Sequence, residues 1–469
     1  MLRGTIMQRG TLHLIGIGGT GMSALARLLL AEGYRVTGSD RDFDYGRNQV
    51  LAAKLSRLGM TIYPQNGIGL LQRPQEAVYS TAVEEDNPDR QAARARGIPL
   101  RHRSQTLWKL ASLHRTVAVA GTCGKTTVAA MIGHILTSCG ADPPVALGGV
   151  LRSWETSREP GNAKPGRGDL FVFEADESDG SLLNYEPEVA VIGPLGSDHF
   201  PLDRTRKLFA AFAARVKDLL VLGPRTADRL AEVLDRLDCR VLIPRPELRR
   251  GPEGWEALCD RTSVSVPAPG RFNAENAALA FTVARELGID PREASRKLST
   301  FPGIRRRLEL IGETASGVRV YDDYAHNPDK LTAAWRAVRE QTRSRVIGIW
   351  QPHGYQPLAG MFDRLRQAFG DVVAESDHLL LLPVYYVGGS VERRVHSETL
   401  AAALCSDGIQ AESVTRDRLP ERTAQLAGPG DSVLLMGARD PELPAVAREI
   451  GAALGCRISE EDASTSAGG

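Results

Sequence analysis

A chain of 469 residues is too long for one ordinary hydrophobic core, and about three domains is the natural expectation. Its hydrophobic share of 42% supplies ample apolar surface to bury, while charges cancel to a net +1. So neutral a sum leaves no whole-chain footprint for nucleic acid, and no run of eighteen apolar residues offers a membrane span.

In chain order, residues 11–17 read as a strand, 22–32 as an apolar-striped helix and 34–38 as a second strand. LAAKLSRLGM reads as helix, EAVYST as a strand ending in Ser80 and Thr81, and NPDRQAARARG as a helix capped by Asn87 with Pro88 in its first turn. This βα alternation predicts a first domain over 1–113. A fresh strand, TVAVA, begins at Thr116 and leads through GTCGKTT into the helix VAAMIGHILTSCG. The strands DLFVFEAD, EVAVIG and VKDLLVLG follow, with the apolar continuity of a mostly parallel sheet covered on both faces. Residues 155–168 read as an exposed loop, and NAENAALAFTVARELG as a helix closing a central domain over 114–302. The strands VRVYDD, RVIGIW, HLLLLPVY and SVLLMG make a third α/β domain over 303–457, and 458–469 reads as a loose tail.

The six cysteines stand singly at 123, 139, 239, 259, 405 and 456, without a CxxC pair. That pattern fits neither a disulfide framework nor a zinc site and predicts a reducing, cytoplasmic setting. MLRGTIMQRG has no apolar run behind it, so no signal peptide is expected.

Two stretches make nucleotide claims. Gly16, Gly18 and Gly21 form GxGxxG between a strand and a helix, with Asp40 about twenty residues on. Such a turn admits a diphosphate to the helix N-terminus and an acid to a ribose hydroxyl, without saying which nucleotide is bound; a merely tight βα turn is the alternative. Gly121–Thr127 is the stronger claim. Its backbone N–H groups would cup phosphates, Lys125 would reach the terminal ones, and Thr126 could hold Mg²⁺. The set is Gly121, Thr122, Gly124, Lys125, Thr126 and Thr127, although Val119 stands where a full phosphate-loop signature has glycine.

Glu174, Asp176, Glu177 and Asp179 crowd one strand end, and Asp198-His199 follows the next. Acids there require solvation or cations, which points to Mg²⁺ across from the phosphate loop. Glu174 is a candidate ligand, or else an ion pair or helix cap; His199 is a candidate ligand, or else a hydrogen-bonded core histidine. A dehydrogenase would leave GTCGKTT idle, whereas a kinase or ligase uses it.

At this point the motifs are recognisable. GIGGTGMSALARLLLAEGYRVTGSD, GTCGKTT, EADESD, the DH pair, FNAENAALA, FPGIRRRLE, YDDYAHNP and QPHGY, in that order, resemble the Mur ligases from about residue 11 to about 440. The resemblance implies three domains: a Rossmann-like N-terminal domain holding a UDP-sugar, a central ATP/Mg²⁺ domain, and a Rossmann-like C-terminal domain that brings the amine. It implies an ADP-forming, amide-forming ligase that works through an acyl phosphate, most like the branch adding L-alanine to UDP-N-acetylmuramate in peptidoglycan synthesis. The glycine turn then serves UDP rather than NAD, through Gly18, Gly19, Thr20, Gly21 and Asp40, with Ser80 and Thr81 beside it.

By the same resemblance Lys125 grips the β/γ-phosphates, Thr126 and Glu174 hold one Mg²⁺, and His199 touches a second. Asn276 lies near adenine, Arg307 reaches the nucleotide from the domain junction, and Asp323 and His326 act where the third domain closes. Read from the residues alone, each of these four could equally be a cap, a surface arginine or a structural hydrogen bond. His353 and Tyr355 would meet the amine substrate, with His353 in catalysis. The partners expected are a UDP-sugar or other carboxylate acceptor and a small amino acid or peptide amine, acting on a monomer or weak homodimer.

Departures fall where substrates would be read. Cys123 stands for His, Gly193-Pro194 for Thr-Asn, Asn327 for the second His of DDYAHHP, and GARDP for GAGD; PQNGIGL lacks a histidine. Gly354 stands for the arginine of QPHRY, so another residue must supply a carboxylate fork. Phe212-Ala213 occupies the position of the carbamylated lysine of some relatives. A divergent Mur-like ligase, the tripeptide-recycling enzyme, a dehydrogenase and a UDP-sugar-binding pseudoenzyme are the rival readings.

Overall fold

The structure, a computed structural model, describes residues 9–196, 200–251, 254–386 and 393–458. The first sheet contains β1 (Arg9–Ile15), β2 (Tyr34–Ser39), β3 (Thr61–Tyr63), β4 (Glu76–Tyr79) and β5 (Leu100–His102). Its order is β3-β2-β1-β4-β5, and every pairing is parallel. The order reverses beside β1, so a crevice opens at the carboxyl ends of β1 and β4, where the glycine turn and Ser80-Thr81 lie. The helix Thr20–Ala31 buries Met22, Ala24, Leu25, Leu28 and Leu29, the stripe read in the sequence. Asn87 caps its helix as expected, its side chain accepting from the Asp89 and Arg90 N–H groups.

The second sheet contains β6 (Arg115–Ala120), β7 (Val145–Ala146), β8 (Ala163–Lys164), β9 (Leu170–Glu174), β10 (Val189–Ile192), β11 (Leu219–Leu222) and β12 (Arg240–Leu242). Its order is β12-β11-β10-β6-β9-β7-β8, parallel but for the β7–β8 pair. All of β10 and β11, and β6 from Thr116 on, are buried, as expected of strands covered on both faces. A small sheet that the sequence reading did not anticipate follows, from β13 (Glu247–Gly251), β14 (Gly254–Cys259) and β15 (Thr262–Ser265).

The third sheet contains β16 (Glu309–Glu313), β17 (Arg319–Asp323), β18 (Val346–Gln351), β19 (His378–Leu381), β20 (Ala411–Ser413), β21 (Ser432–Gly437) and β22 (Arg457–Ile458). The order is β20-β19-β18-β21-β17-β16-β22, with β16 antiparallel to both neighbours. Ile458, read as the start of the tail, pairs with Gly312 at this edge.

The chain is thus a three-domain α/β protein, and it divides into two compact units. One comprises Met1–Arg250, Glu256–Val266 and Ala274–Pro302; the other comprises Gly251–Trp255, Pro267–Asn273 and Gly303–Gly469. Within the first unit the first two sheets share one hydrophobic cluster. Trp108, on the helix Arg103–Ala111 that follows β5, lies edge-on to Tyr185 at 6.0 Å and 6.4 Å from Phe173 of β9.

The segment 155–168, expected as an exposed loop, is in part a docking arm. Pro160, Gly161, Asn162 and Ala163 are buried, and Ala163–Lys164 form β8. Asn162 Nδ2 donates to Thr20 O at 2.7 Å and Ser23 Oγ at 2.8 Å, while Arg27 makes two hydrogen bonds to Glu159 at 2.8 and 2.9 Å. Its polar composition hid this because the polar groups are matched to one helix rather than to water. Among the described residues no helix is long and apolar enough to cross a membrane.

Candidate active site

The phosphate loop leaves β6 at Ala120 and enters the helix Lys125–Ser138. Its conformation demands glycine twice: Gly121 has φ +136° and Gly124 φ +80°. A Cβ at Gly121 would stand 3.1 Å from Gly193 N, and one at Gly124 would stand 2.7 Å from Asn276 Oδ1. Asn276, buried in its own helix, therefore lies directly against the loop. Thr122 fastens the other side, its N–H and Oγ1 both donating to Pro194 O, at 2.9 and 3.0 Å. Thr127 is half-buried in the first turn of the helix.

Lys125 does not project into open space. Its Nζ donates to Glu177 Oε2 at 2.6 Å and to Gly121 O at 2.9 Å, with Asp176 Oδ1 3.9 Å away. Burial alone would lower the lysine pKa, but the Glu177 and Asp176 charges outweigh it and the net shift is upward. Lys125 is therefore a firm cation, and Glu177 is buried, its Oε1 without a hydrogen-bond partner among the described residues. On the next residue, Thr126 Oγ1 donates to Glu174 Oε2 at 3.0 Å, and the Gly148 N–H donates to Glu174 Oε1.

The four acids at the end of β9 are thus not one metal cluster, contrary to the expectation that Mg²⁺ accounts for their crowding. Glu177 is taken by Lys125 and Asp176 by Arg103, at 3.2 Å; Asp179 accepts from Thr81 Oγ1 at 2.6 Å and sits 3.4 Å from His102 Nε2. Among the described residues no group of three or more His, Cys, Asp or Glu could hold a metal ion. Burial acts to raise the Asp176 pKa, yet Lys125 and Arg103 hold it below the usual carboxylate range. Burial likewise opposes ionisation of Asp179, and hydrogen bonds from His102, Ser181 and Thr81 overcome it. His199 and Asp198 lie outside the described residues.

Arg103 and His102 were missed in the sequence, where a lone basic pair after a short strand gives no motif. They join the two halves of the unit. Arg103 Nη1 is 2.8 Å from where a Cβ at Gly21 would stand, so this side chain reaches from the glycine turn to Asp176. In that turn Gly19 caps the helix that Thr20 begins. The Gly18 and Asp42 N–H groups donate to the two Asp40 oxygens, at 2.8 and 2.9 Å. Burial raises the Asp40 pKa against those two bonds, and the carboxyl braces the turn. Ser80 and Thr81 stand just past β4, which ends at Tyr79 rather than running through them as EAVYST predicted.

The second unit gathers the remaining candidates at the carboxyl ends of β17, β18 and β21. Asp323 accepts from the Leu308 N–H at 2.7 Å and the Ala325 N–H at 2.8 Å, so it shapes the turn that carries Arg307. Arg307 lies over the Tyr324 ring at 5.5 Å. His326 Nδ1 is 2.9 Å from Tyr324 O, and its ring meets the His353 ring edge-on at 5.3 Å. Burial, then Arg439 and Lys330, bring the His353 pKa down to about 4, so this imidazole is neutral at pH 7. Tyr355 opens the short helix Tyr355–Gly360.

Known proteins match the chain in all three domains. Residues 11–115 match the Mur ligase family catalytic domain, 119–215 the Mur ligase middle domain, and 306–439 the Mur ligase glutamate ligase domain. The UDP-N-acetylmuramate–L-alanine ligase of a Cyanothece strain is 35% identical over 459 residues, covering 91% of this chain and 92% of its own. The chain belongs to the Mur ligase family. That of Rhizobium meliloti is 33% identical, covering 92% and 94%. The crystal structure of the UDP-N-acetylmuramate–alanine ligase of Thermotoga maritima superposes with a TM-score of 0.76 at 25% identity, covering 94% of this chain and 98% of that one.

Membership of the Mur ligases gives the reaction class, ATP-dependent amide-bond formation, and the structure explains several departures from the family motifs. Gly193 is the backbone on which Gly121 rests; a Cβ at Gly193 would stand 3.2 Å from Cys123 O. Asn327 caps the helix Pro328–Gln341, its Oδ1 accepting from the Lys330 N–H at 3.0 Å. Arg439, in GARDP, sits at φ +66°, a left-handed conformation that disfavours a side chain. Arg439→Gly is expected to raise stability by about 1 kcal/mol in denaturant unfolding; equal or lower stability would show that the arginine is unstrained.

Proposed function

We propose that this Mur ligase joins a small amino acid, L-alanine or one like it, to the carboxylate of UDP-N-acetylmuramate in peptidoglycan synthesis, working in the cytoplasm where ATP and nucleotide sugars are made. The observation that carries this reading is the Arg103–Asp176–Lys125 chain, with contacts of 3.2 and 3.9 Å, which ties the glycine turn of the first sheet to the phosphate loop of the second. A diphosphate-bearing acceptor and ATP would lie at its two ends. The alanine-adding relatives, similar over more than nine-tenths of the chain, support the same acceptor and amine.

A carboxylate is a poor electrophile because its oxygens share the charge. In this reading an acceptor carboxylate oxygen attacks the γ-phosphorus, ADP departs, and an acyl phosphate results. The amine nitrogen then attacks the acyl carbon, and phosphate leaves from a tetrahedral intermediate. Lys125 neutralises charge that develops on the transferring phosphoryl group. To do so it exchanges Glu177 and Asp176 for phosphate oxygens, and the two carboxylates keep it charged and aimed until then. Thr126 and Glu174, a hydroxyl and a carboxylate 3.0 Å apart beside the loop, suit a hard cation that keeps waters and phosphates as its other ligands. They would hold Mg²⁺, which when bound supplies further positive charge to the phosphates. Asn276 packs against Gly124, where it would lie beside the bound nucleotide. The amine must lose a proton to solvent, and His353, uncharged at pH 7, would accept a hydrogen bond from it and orient its lone pair.

The test is a phosphate-release assay with UDP-N-acetylmuramate and ATP, offering L-alanine, glycine, L-serine and short peptides and weighing the products. Release with L-alanine and a product of the summed mass less water is expected. Release with none of the amines would remove the peptidoglycan assignment.

His353 also makes a stability prediction. Its pKa is about 4 in the native state against 6.5 ordinarily, so between those values the unfolded chain binds more protons. Its contribution is complete above about pH 6.5 and is lost as pH falls toward about 4. His353→Gln should flatten the acid side of the stability profile in that window; an unchanged profile would contradict the buried, neutral imidazole.

A further inference from the structure

At the carboxyl edge of the third sheet, the chain beyond β18 and the chain beyond β19 stay paired. The Tyr385 N–H donates to Pro352 O at 2.8 Å and the Gly354 N–H to Tyr385 O at 2.9 Å. This pairing sets Tyr355 and Tyr386 edge to face, with ring centres 5.3 Å apart, and His396 lies 5.3 Å from Tyr355. Across the two tyrosines lies Arg393, its guanidinium carbon 5.5 Å from the Tyr355 ring centre and 5.2 Å from that of Tyr386.

Three features make this more than a surface arginine on an aromatic pair. Arg393 forms no ion pair with a carboxylate among the described residues, while most arginines nearby in sequence, such as Arg366 and Arg416, have one. Among the described residues, neither the buried Tyr386 hydroxyl nor the buried His353 Nδ1 has a hydrogen-bond partner. Arg439 and Lys330 add positive charge at His353, and Gly354, the next residue in the chain, contributes no side chain of its own. Stacking fixes the plane of a guanidinium and leaves its edge donors free, the form that receives a carboxylate in two parallel bonds. The site also sits at the carboxyl ends of parallel strands, where sheets of this kind take ligands.

We propose that Arg393, steadied by Tyr355 and Tyr386, binds the carboxylate of the incoming amine substrate. The Tyr386 hydroxyl stands ready as a further donor. The amine is therefore an α-amino acid or a peptide with a free carboxylate, and an amine without an anion is rejected. Arg393 thereby fills the role that Gly354 leaves empty. The inference rests on the ligase reading above and narrows its second substrate.

The full chain with ATP, Mg²⁺ and UDP-N-acetylmuramate is assayed with L-alanine, L-alaninamide and L-alanyl-D-glutamate. Arg393→Ala should raise the KM for the preferred carboxylate about 10- to 100-fold and leave the KM for ATP unchanged. L-Alaninamide should already be poor with the unaltered chain by a similar factor, and Arg393→Ala should cost it nothing more. Arg393→Lys should recover part of the loss. Equal losses on alanine and alaninamide, or none on either, would overturn the proposal. If no amine supports turnover, the ligase reading fails separately. Calorimetric titration of the same three compounds into ATP-loaded protein then decides about Arg393. Binding of a carboxylate but not of the amide, abolished in Arg393→Ala, upholds the site; binding that ignores the carboxylate or the substitution, or no binding, overturns it.

Discussion

Lys125→Ala is expected to lower the turnover of ATP-dependent amide synthesis by about 10³-fold or more, because in the proposed reading it removes the cation that neutralises charge developing on the transferring phosphoryl group. The same change leaves Glu177 buried with neither oxygen paired to a cation, since its Oε2 is held at 2.6 Å by Lys125 and its Oε1 has no partner among the described residues. Breaking a buried pair in this way costs about 3 kcal/mol or more. Loss of activity in the single variant could then reflect unfolding. Lys125→Met combined with Glu177→Gln removes both charges at similar volume, and it should fold, as judged by circular dichroism, while remaining inactive. A folded double variant with ordinary turnover would strip Lys125 of its role.

The second large effect concerns Glu174. At the end of β9, its oxygens are shared between Thr126 Oγ1, at 3.0 Å, and the Gly148 N–H. Glu174→Gln preserves the shape and one acceptor oxygen but removes the charge. Turnover should fall about 10²-fold, and the Mg²⁺ concentration needed for half-maximal ATP binding should rise, while ATP binding without Mg²⁺ changes little. Binding is read by calorimetry across a Mg²⁺ series. An unaltered Mg²⁺ dependence would mean that Glu174 serves only to hold Thr126 and Gly148.

How far these sites could be read from the sequence follows from how local each signal is. GTCGKTT was legible because a fully apolar strand, a glycine pair and a lysine at the next helix start occur together within a dozen residues. Asn87 was legible as a cap for the same reason. Glu174 stood out as an acid ending an apolar strand, and its neighbours did too, but their partners did not. Whether Glu177 meets a metal or Lys125 depends on a side chain 52 residues away, and Asp176 depends on Arg103, 73 residues away. No spacing rule reports such pairs.

Other elements escaped for other physical reasons. The arm 155–168 is rich in polar residues, and polarity reads as exposure unless the matching groups on Thr20, Ser23 and Arg27 are known. The strand β16 follows a turn with Arg306 and Leu308 at positive φ, which hid its start, and it pairs antiparallel in a largely parallel sheet. Arg393 belongs to no motif; only the pairing of the chain beyond β18 with that beyond β19 brings it over two tyrosines.

The central claim is that the phosphate loop activates a carboxylate by phosphoryl transfer, and an oxygen label tests it directly. UDP-N-acetylmuramate carrying ¹⁸O in its lactyl carboxylate is converted with ATP and L-alanine, and the released phosphate is weighed. Passage through an acyl phosphate transfers one carboxylate oxygen to phosphate, so one ¹⁸O per phosphate and ADP as the nucleotide product are predicted. Unlabelled phosphate, or AMP in place of ADP, would contradict the account.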